Sequence, residues 1–76
     1  MVQLYSVRVN AGALRHQMRV RGLTATELAE LAGVSRATVS HALNGRRIHP
    51  RKLRAIATAL GAVPLIAGIE ALAEGA

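Results

Sequence analysis

The sequence of 76 residues predicts a small all-α domain: five short helices behind a short N-terminal extended arm or strand. Three observations predict this class. Apolar residues recur at helical spacing, polar cap residues precede those stretches, and glycine follows most of them. The glycines that suit the left-handed position after a helix are Gly22, Gly33, Gly45, Gly61 and Gly75. Because no two long stretches alternate, we expect at most one short strand.

The N-terminal segment favours an extended arm followed by a first helix. Residues 2–9 read VQLYSVRV, whose β-branched residues and partial alternation indicate a short strand or an extended arm. Asn10 is a suitable N-cap for a helix at about residues 11–21. Leu14 and Met18 are four residues apart and therefore share the face of this helix that turns inward.

Two further helices follow, each with its own cap. Thr24 and Glu27 have capping-box spacing and predict a helix over residues 25–32. After a short turn, Ser35 is a good N-cap for a helix over residues 36–43. The residues expected on the inward faces of these two helices are Leu28, Leu31, Ala32, Val39, Ala42 and Leu43.

The last third of the chain predicts a basic loop and two more helices. The loop is Arg46–His49, and Pro50 suits the first turn of a helix over residues 50–60. The apolar face of that helix is expected to contain Leu53, Ile56, Ala57 and Leu60. Pro64 predicts the start of a fifth helix over residues 64–73, with an apolar stripe made of Leu65, Ile66, Ile69 and Leu72.

Charge is concentrated in the first part of the chain. Residues 1–60 hold all ten cations and two anions, a net charge of +8, whereas residues 61–76 hold two anions and no cation. A strongly basic body indicates a polyanionic partner, and nucleic acid fits best. The alternatives are a solvated basic surface and a GC-rich genome, since nine of the ten cations are arginine.

Several function classes are excluded or disfavoured. Without cysteine there is no disulfide scaffold or thiolate zinc site, and the three histidines lack metal-ligand spacing. No nucleophile–base arrangement and no phosphate-binding glycine loop is visible, so we expect a non-enzyme without cofactor or metal. The longest uncharged run, residues 55–69, is shorter than the ~20 residues of a membrane span, and no signal peptide is visible. A soluble cytoplasmic protein, associated with the nucleoid, is expected.

Residues 25–44, ATELAELAGVSRATVSHALN, contain the most specific pattern. Two helices that cross steeply need a small residue at their contact, a turn with positive φ and an apolar anchor, and Ala29, Gly33 and Val39 have that spacing. This stretch resembles the Cro and phage-repressor type of helix-turn-helix proteins, the XRE-like, lambda-repressor-like family. The resemblance covers roughly residues 11–61. It includes the segments Leu14–Arg15, Gly22–Thr24, Glu27–Ala29, Ala32–Ser35, Thr38–Ser40 and Asn44–Gly45, followed by Leu53, Ile56, Ala57, Leu60 and Gly61.

The resemblance implies that the third helix enters the major groove of double-stranded DNA. The residues expected at base edges are Arg36, Ala37, Thr38, Ser40 and His41. Arg36 is the best candidate for guanine, and its alternatives are a phosphate contact or a solvated charge. His41 can donate to a base or to a phosphate, and its alternative is no contact with DNA. The residues expected at backbone phosphates are Thr24, Thr26, Ser35, Asn44, Arg46, Arg47, Arg15 and Arg19. One departure is Ala25, where many family members have glutamine.

The implied function is transcriptional repression of the phage immunity or Cro kind, by a homodimer on a pseudo-palindromic operator. The apolar stripe Leu65, Ile66, Ile69 and Leu72 is the expected dimer contact, unless it closes the core of the monomer; both can hold. Two alternatives stay open: an antitoxin that binds a toxin protein and represses its own operon, and an architectural excision factor. The chain can also be the DNA-binding part of a longer protein.

Overall fold

The computed structural model describes residues 6–72, which form four helices and two short strands. Their order is β1 (Val7–Arg8), α1 (Ala11–Arg19), α2 (Ala25–Ala32), α3 (Arg36–Leu43), β2 (Arg47–Ile48) and α4 (Pro50–Ala62). The bounds of α2 and α3 are those predicted; α1 ends two residues earlier than predicted, and α4 ends two residues later. None of the helices in this part of the chain has the length and apolar character that crossing a membrane requires.

Each of the first three helices begins at the predicted N-cap. The side chain of Asn10 accepts from the backbone N–H of Ala13 at 3.0 Å, and Ser35 Oγ accepts from that of Thr38 at 3.1 Å. Thr24 and Glu27 form the predicted capping box. A cap of this kind stabilises a helix by about 1 kcal/mol relative to alanine, so these polar residues define where the helices start.

The two strands are paired, which corrects the expectation of at most one strand. Val7 lies opposite Ile48, and Arg8 lies opposite Arg47, in an antiparallel register. The segment expected to be a basic loop therefore contains β2. Ile48 is buried, and its burial beside Val9 explains why this segment is extended.

The prediction of a fifth helix over residues 64–73 is wrong in its length, because only a single turn, Ile69–Leu72, is helical. Residues 64–66 are irregular, and Gly68 has a φ of +76°, which residues with a Cβ rarely adopt. The backbone N–H of Ile66 donates instead to the carbonyl of Val20 at 2.9 Å, so this segment is fastened to the end of α1. Residue 73 lies outside the described residues. Gly61 lies inside α4 and not after it.

The core is formed around α2, which packs against both α3 and α4. Its buried apolar side chains are Val9, Leu14, Met18, Leu28, Ala29, Val39, Ala42, Ile48, Ile56, Ala59 and Leu60. Two residues predicted to face inward are exposed: Leu31, at 56 %, and Ala57. The core nevertheless fixes α3 through its fully buried residues Val39 and Ala42.

Arg21 joins the end of α1 to the end of α4. Its Nε donates to the carbonyl of Leu60 at 2.8 Å and to that of Val63 at 3.0 Å, while Nη1 donates to Gln17. The last carbonyls of a helix have no partner within the helix, and a cation beside them is favourable. Arg21 therefore stabilises the packing of the helices that support α3.

Candidate functional site

The turn between α2 and α3 depends on the backbone of Gly33. This residue has a φ of +68°, and its N–H donates to the carbonyl of Glu30 at 3.3 Å. The N–H of Val34 donates to the carbonyl of Ala29 at 3.1 Å, which closes the end of α2. A Cβ added at Gly33 would meet no atom within 4 Å, so the requirement for glycine is conformational and not steric.

One side of α3 is anchored in the core and the other side is open to solvent. The buried side consists of Thr38, Val39 and Ala42. The exposed side, which we call the α3 outer face, consists of Arg36, Ala37, Ser40, His41 and Asn44. These residues recur at intervals of four, so they form one continuous stripe along the helix.

The polar side chains of the α3 outer face are available to a ligand. Within residues 6–72, Arg36, His41 and Asn44 make no side-chain hydrogen bond or ion pair. The guanidinium of Arg36 has five donors, and the amide of Asn44 has two donors and an acceptor. The stripe can therefore present several hydrogen-bond donors to an extended anionic or polar surface.

Thr38 does not belong to this stripe, so the expectation that it is exposed is wrong. It is only 6 % exposed, and its Oγ1 lies 2.9 Å from Ser35 Oγ. A helical side chain leans towards the N-terminus of its helix, which brings the Thr38 hydroxyl back onto the cap residue. Thr38 therefore stabilises the start of α3 and has no surface with which to reach a base.

The other residues expected to contact phosphates lie at helix starts, and they differ in whether their side chains are available to a ligand. Thr24 Oγ1 accepts from the backbone N–H of Glu27 at 3.1 Å, and Thr24 N–H donates to Glu27 Oε1 at 2.9 Å. Hydrogen bonds to the Glu27 carboxyl, first from the Thr24 backbone and then from the Thr24 side chain, lower the pKa of Glu27, so a carboxylate occupies the start of α2. Thr26 is exposed without a side-chain partner among residues 6–72, whereas the Ser35 hydroxyl is engaged in its cap.

Three of the four arginines expected to contact phosphates lie around the C-terminal end of α3. Arg46 is exposed, and its N–H donates to the carbonyl of His41 at 2.9 Å, which folds the chain back against α3. Arg47 is exposed in β2 and donates from Nη1 to the carbonyl of Ser6 at 3.3 Å. Arg15 donates from Nη2 to the carbonyl of Leu43 at 2.7 Å, so it also links α1 to α3. Arg19 is half-buried.

Arg8 is a surface cation near this site that the sequence did not single out. It lies directly opposite Arg47 in the strand pair. The alternation of Val7, Arg8 and Val9 was the available signal, since it places Arg8 on the face away from the two valines.

The apolar stripe near the C-terminus is partly packed inside the monomer and partly exposed on its surface. Ile69 is half-buried, and the Cδ1 atoms of Ile69 and Ile66 lie 2.9 and 3.5 Å from where a Cβ on Gly22 would stand. Leu65 and Leu72 are 63 % and 85 % exposed, and Ile66 is 50 % exposed. The stripe thus closes the corner between α1 and α2 and still leaves an apolar surface uncovered.

A glycine turn between α2 and an anchored α3 with a polar outer face is the arrangement of a helix-turn-helix domain. A family model described as "Helix-turn-helix domain" matches residues 11–66, which is more than half of the chain. The chain belongs to this family, which indicates DNA binding and a regulatory role and is typically non-enzymatic. No curated protein and no solved structure matches the chain.

Proposed function

We propose that the chain binds double-stranded DNA sequence-specifically and acts as a transcriptional repressor of the Cro or phage-immunity type. The observation that carries the proposal is the α3 outer face: a stripe of polar side chains without partners in the described part of the chain, on a helix that Val39 and Ala42 fix in the core. A helix of this size fits the major groove, which is about 12 Å wide.

Base recognition is assigned to the first two turns of α3. Arg36 begins the helix and can hold guanine O6 and N7 with two parallel hydrogen bonds. The methyl group of Ala37 can pack on a thymine methyl, while Ser40 and His41 lie one turn further along. Thr38, being buried, has no part in this assignment.

Backbone contacts are assigned to both ends of the motif. Asn44, Arg46 and Arg47 follow α3 and are exposed, and Thr26 is exposed at the start of α2. Such contacts place the domain on the duplex without reading its sequence. The net charge of +8 in residues 1–60 adds a long-range attraction for the phosphates.

A homodimer is proposed to read two half-sites of a pseudo-palindromic operator. One motif contacts few base pairs, and two-fold dimers place two recognition helices about 34 Å apart. The exposed apolar side chains of Leu65, Ile66 and Leu72 support this part of the proposal, because a second copy would remove them from water.

Selection of bound sites from random duplexes tests the function, followed by binding of Arg36→Ala to the selected site and to random DNA. The expected loss on the selected site corresponds to about 1–3 kcal/mol of discrimination, with little change on random DNA. Arg54→Ala is the matched control, since Arg54 is an exposed arginine on α4 outside the proposed surface. Equal losses on both DNAs would make Arg36 a phosphate contact, and no binding to any duplex would refute the proposal.

An antitoxin is the second candidate, favoured by the same exposed Leu65, Ile66 and Leu72. The two functions differ in what covers this surface: a second copy in the repressor, and a toxin protein in the antitoxin. Sedimentation equilibrium of the chain alone separates them. A dimer at micromolar concentration that Leu65→Asp with Leu72→Asp dissociates supports the repressor, because a second copy then covers this surface; a dimer that the two substitutions leave intact favours the antitoxin, because the surface is then open to a toxin protein.

A further inference from the structure

Two arginines face each other across the strand pair. Arg8 and Arg47 are direct partners in the register of β1 and β2, so their side chains leave the same face of the pair. The neighbouring partners, Val7 and Ile48, occupy the other face, where Ile48 is buried. Both arginines are exposed, and Arg8 also lines a cleft between α1 and α4.

This pair of like charges has no neutralising partner among the side chains described for residues 6–69 and 71–72. Arg8 makes no side-chain hydrogen bond or ion pair there, and Arg47 donates only to the neutral carbonyl of Ser6. Like charges directly opposite in a sheet are destabilising. Arg46 precedes the pair and adds a third exposed cation. An anion bound at this place would relieve the repulsion.

The strand pair continues from the proposed DNA-binding surface. The bond from Arg46 N–H to the His41 carbonyl, at 2.9 Å, holds the start of β2 against the last turn of α3. Asn44, the last residue of the α3 outer face, is separated from β2 by only two residues. A phosphate backbone that passes the end of α3 therefore comes next to Arg8 and Arg47.

We propose that Arg8 and Arg47 together bind DNA phosphates, so that the strand pair is a second backbone contact beside α3. Arg8 lies outside residues 11–66, which the family model matches. The ligand is the phosphodiester backbone of the duplex, and each guanidinium offers several donors to phosphate oxygens. This inference rests on the proposed function, since it needs the α3 outer face to lie on DNA.

The test is the salt dependence of binding for Arg8→Gln on the selected duplex. Glutamine keeps part of the aliphatic stem, which matters because Arg8 lines an apolar cleft between α1 and α4. Losing one phosphate contact lowers the slope of log K against log salt by about 0.9. Between 50 and 200 mM salt, the affinity of the wild type should then fall about 3.5-fold more than that of the variant.

Three further measurements make the result decisive. The Tm of Arg8→Gln should equal or exceed that of the wild type, because a repulsion is removed; a lower Tm with an unchanged slope would mean a structural role and overturn the inference. Arg8→Lys should restore the slope, and Arg54→Gln should leave it unchanged. If Arg36→Ala weakens binding while Arg8→Gln leaves the salt dependence unchanged, only the proposed phosphate contact of the strand pair is refuted. If the wild type binds no duplex, the proposed function itself falls.

Discussion

Replacing Ser35 by alanine should destabilise the domain by more than the loss of an ordinary helix cap. Ser35 Oγ accepts from the N–H of Thr38 at 3.1 Å and lies 2.9 Å from its hydroxyl oxygen. The cap alone is worth about 1 kcal/mol. The Thr38 side chain is 6 % exposed, so its hydroxyl also loses its partner away from water, which costs about 1 kcal/mol more. The sum of about 2 kcal/mol lowers the Tm by about 8–16 °C in a domain of this size.

The variant Thr38→Val isolates the part of this cost that comes from the Thr38 hydroxyl losing its partner. Valine has the shape of threonine without the hydroxyl, so the double variant should lose only the cap, about 1 kcal/mol, and be more stable than Ser35→Ala alone. Thermal and urea unfolding of the wild type, both single variants and the double variant measure the coupling. Simple additivity would refute the bond between the two hydroxyls. Thr38→Val should also leave the preferred DNA sequence unchanged, and an altered base preference would contradict its burial.

Three other predictions concern the turn, the capping box of α2 and the apolar surface. Gly33→Ala should cost about 1–2 kcal/mol because of its φ of +68°, and Gly33→Asn less; equal costs in urea unfolding would contradict this. The lowered pKa of Glu27 means that its stabilising effect is complete above its unfolded pKa and is lost as pH falls through the folded value. Glu27→Gln should therefore reduce the Tm near pH 7, and the difference from the wild type should shrink as the pH falls through the folded-state pKa of Glu27; a reduction independent of pH would contradict that. Leu65→Asp with Leu72→Asp should give monomers by sedimentation without unfolding, whereas an unchanged dimer would place the interface elsewhere.

Local signals predicted the helices and the motif well. The N-caps Asn10, Thr24 and Ser35 act within three residues of chain, so their effect is visible in the sequence itself. The position of Gly33 between two such helices was sufficient to predict the turn, and the family match confirms a helix-turn-helix. The Cro and phage-repressor subtype remains a prediction.

Features that depend on contacts between residues far apart in the sequence were not predicted. β2 is extended because it pairs with β1, about 40 residues earlier, and because Ile48 enters the core; neither contact leaves a local pattern. The fifth helix does not form over its predicted length, although the apolar spacing alone favours it. The backbone N–H of Ile66 donates to the carbonyl of Val20, and Gly68 adopts a positive φ. Thr38 was expected to be exposed because the family resemblance implied it for the early positions of α3, whereas the Thr38 hydroxyl contacts the Ser35 hydroxyl within the cap.

The placement of α3 on DNA is tested most directly by amide chemical-shift mapping during titration with the selected duplex. The account predicts the largest shifts at Arg36, Ala37, Ser40, His41 and Asn44, with smaller shifts at Arg8 and Arg47 and almost none in the second half of α4. Tight binding that leaves the α3 outer face unshifted and moves another surface would contradict the account.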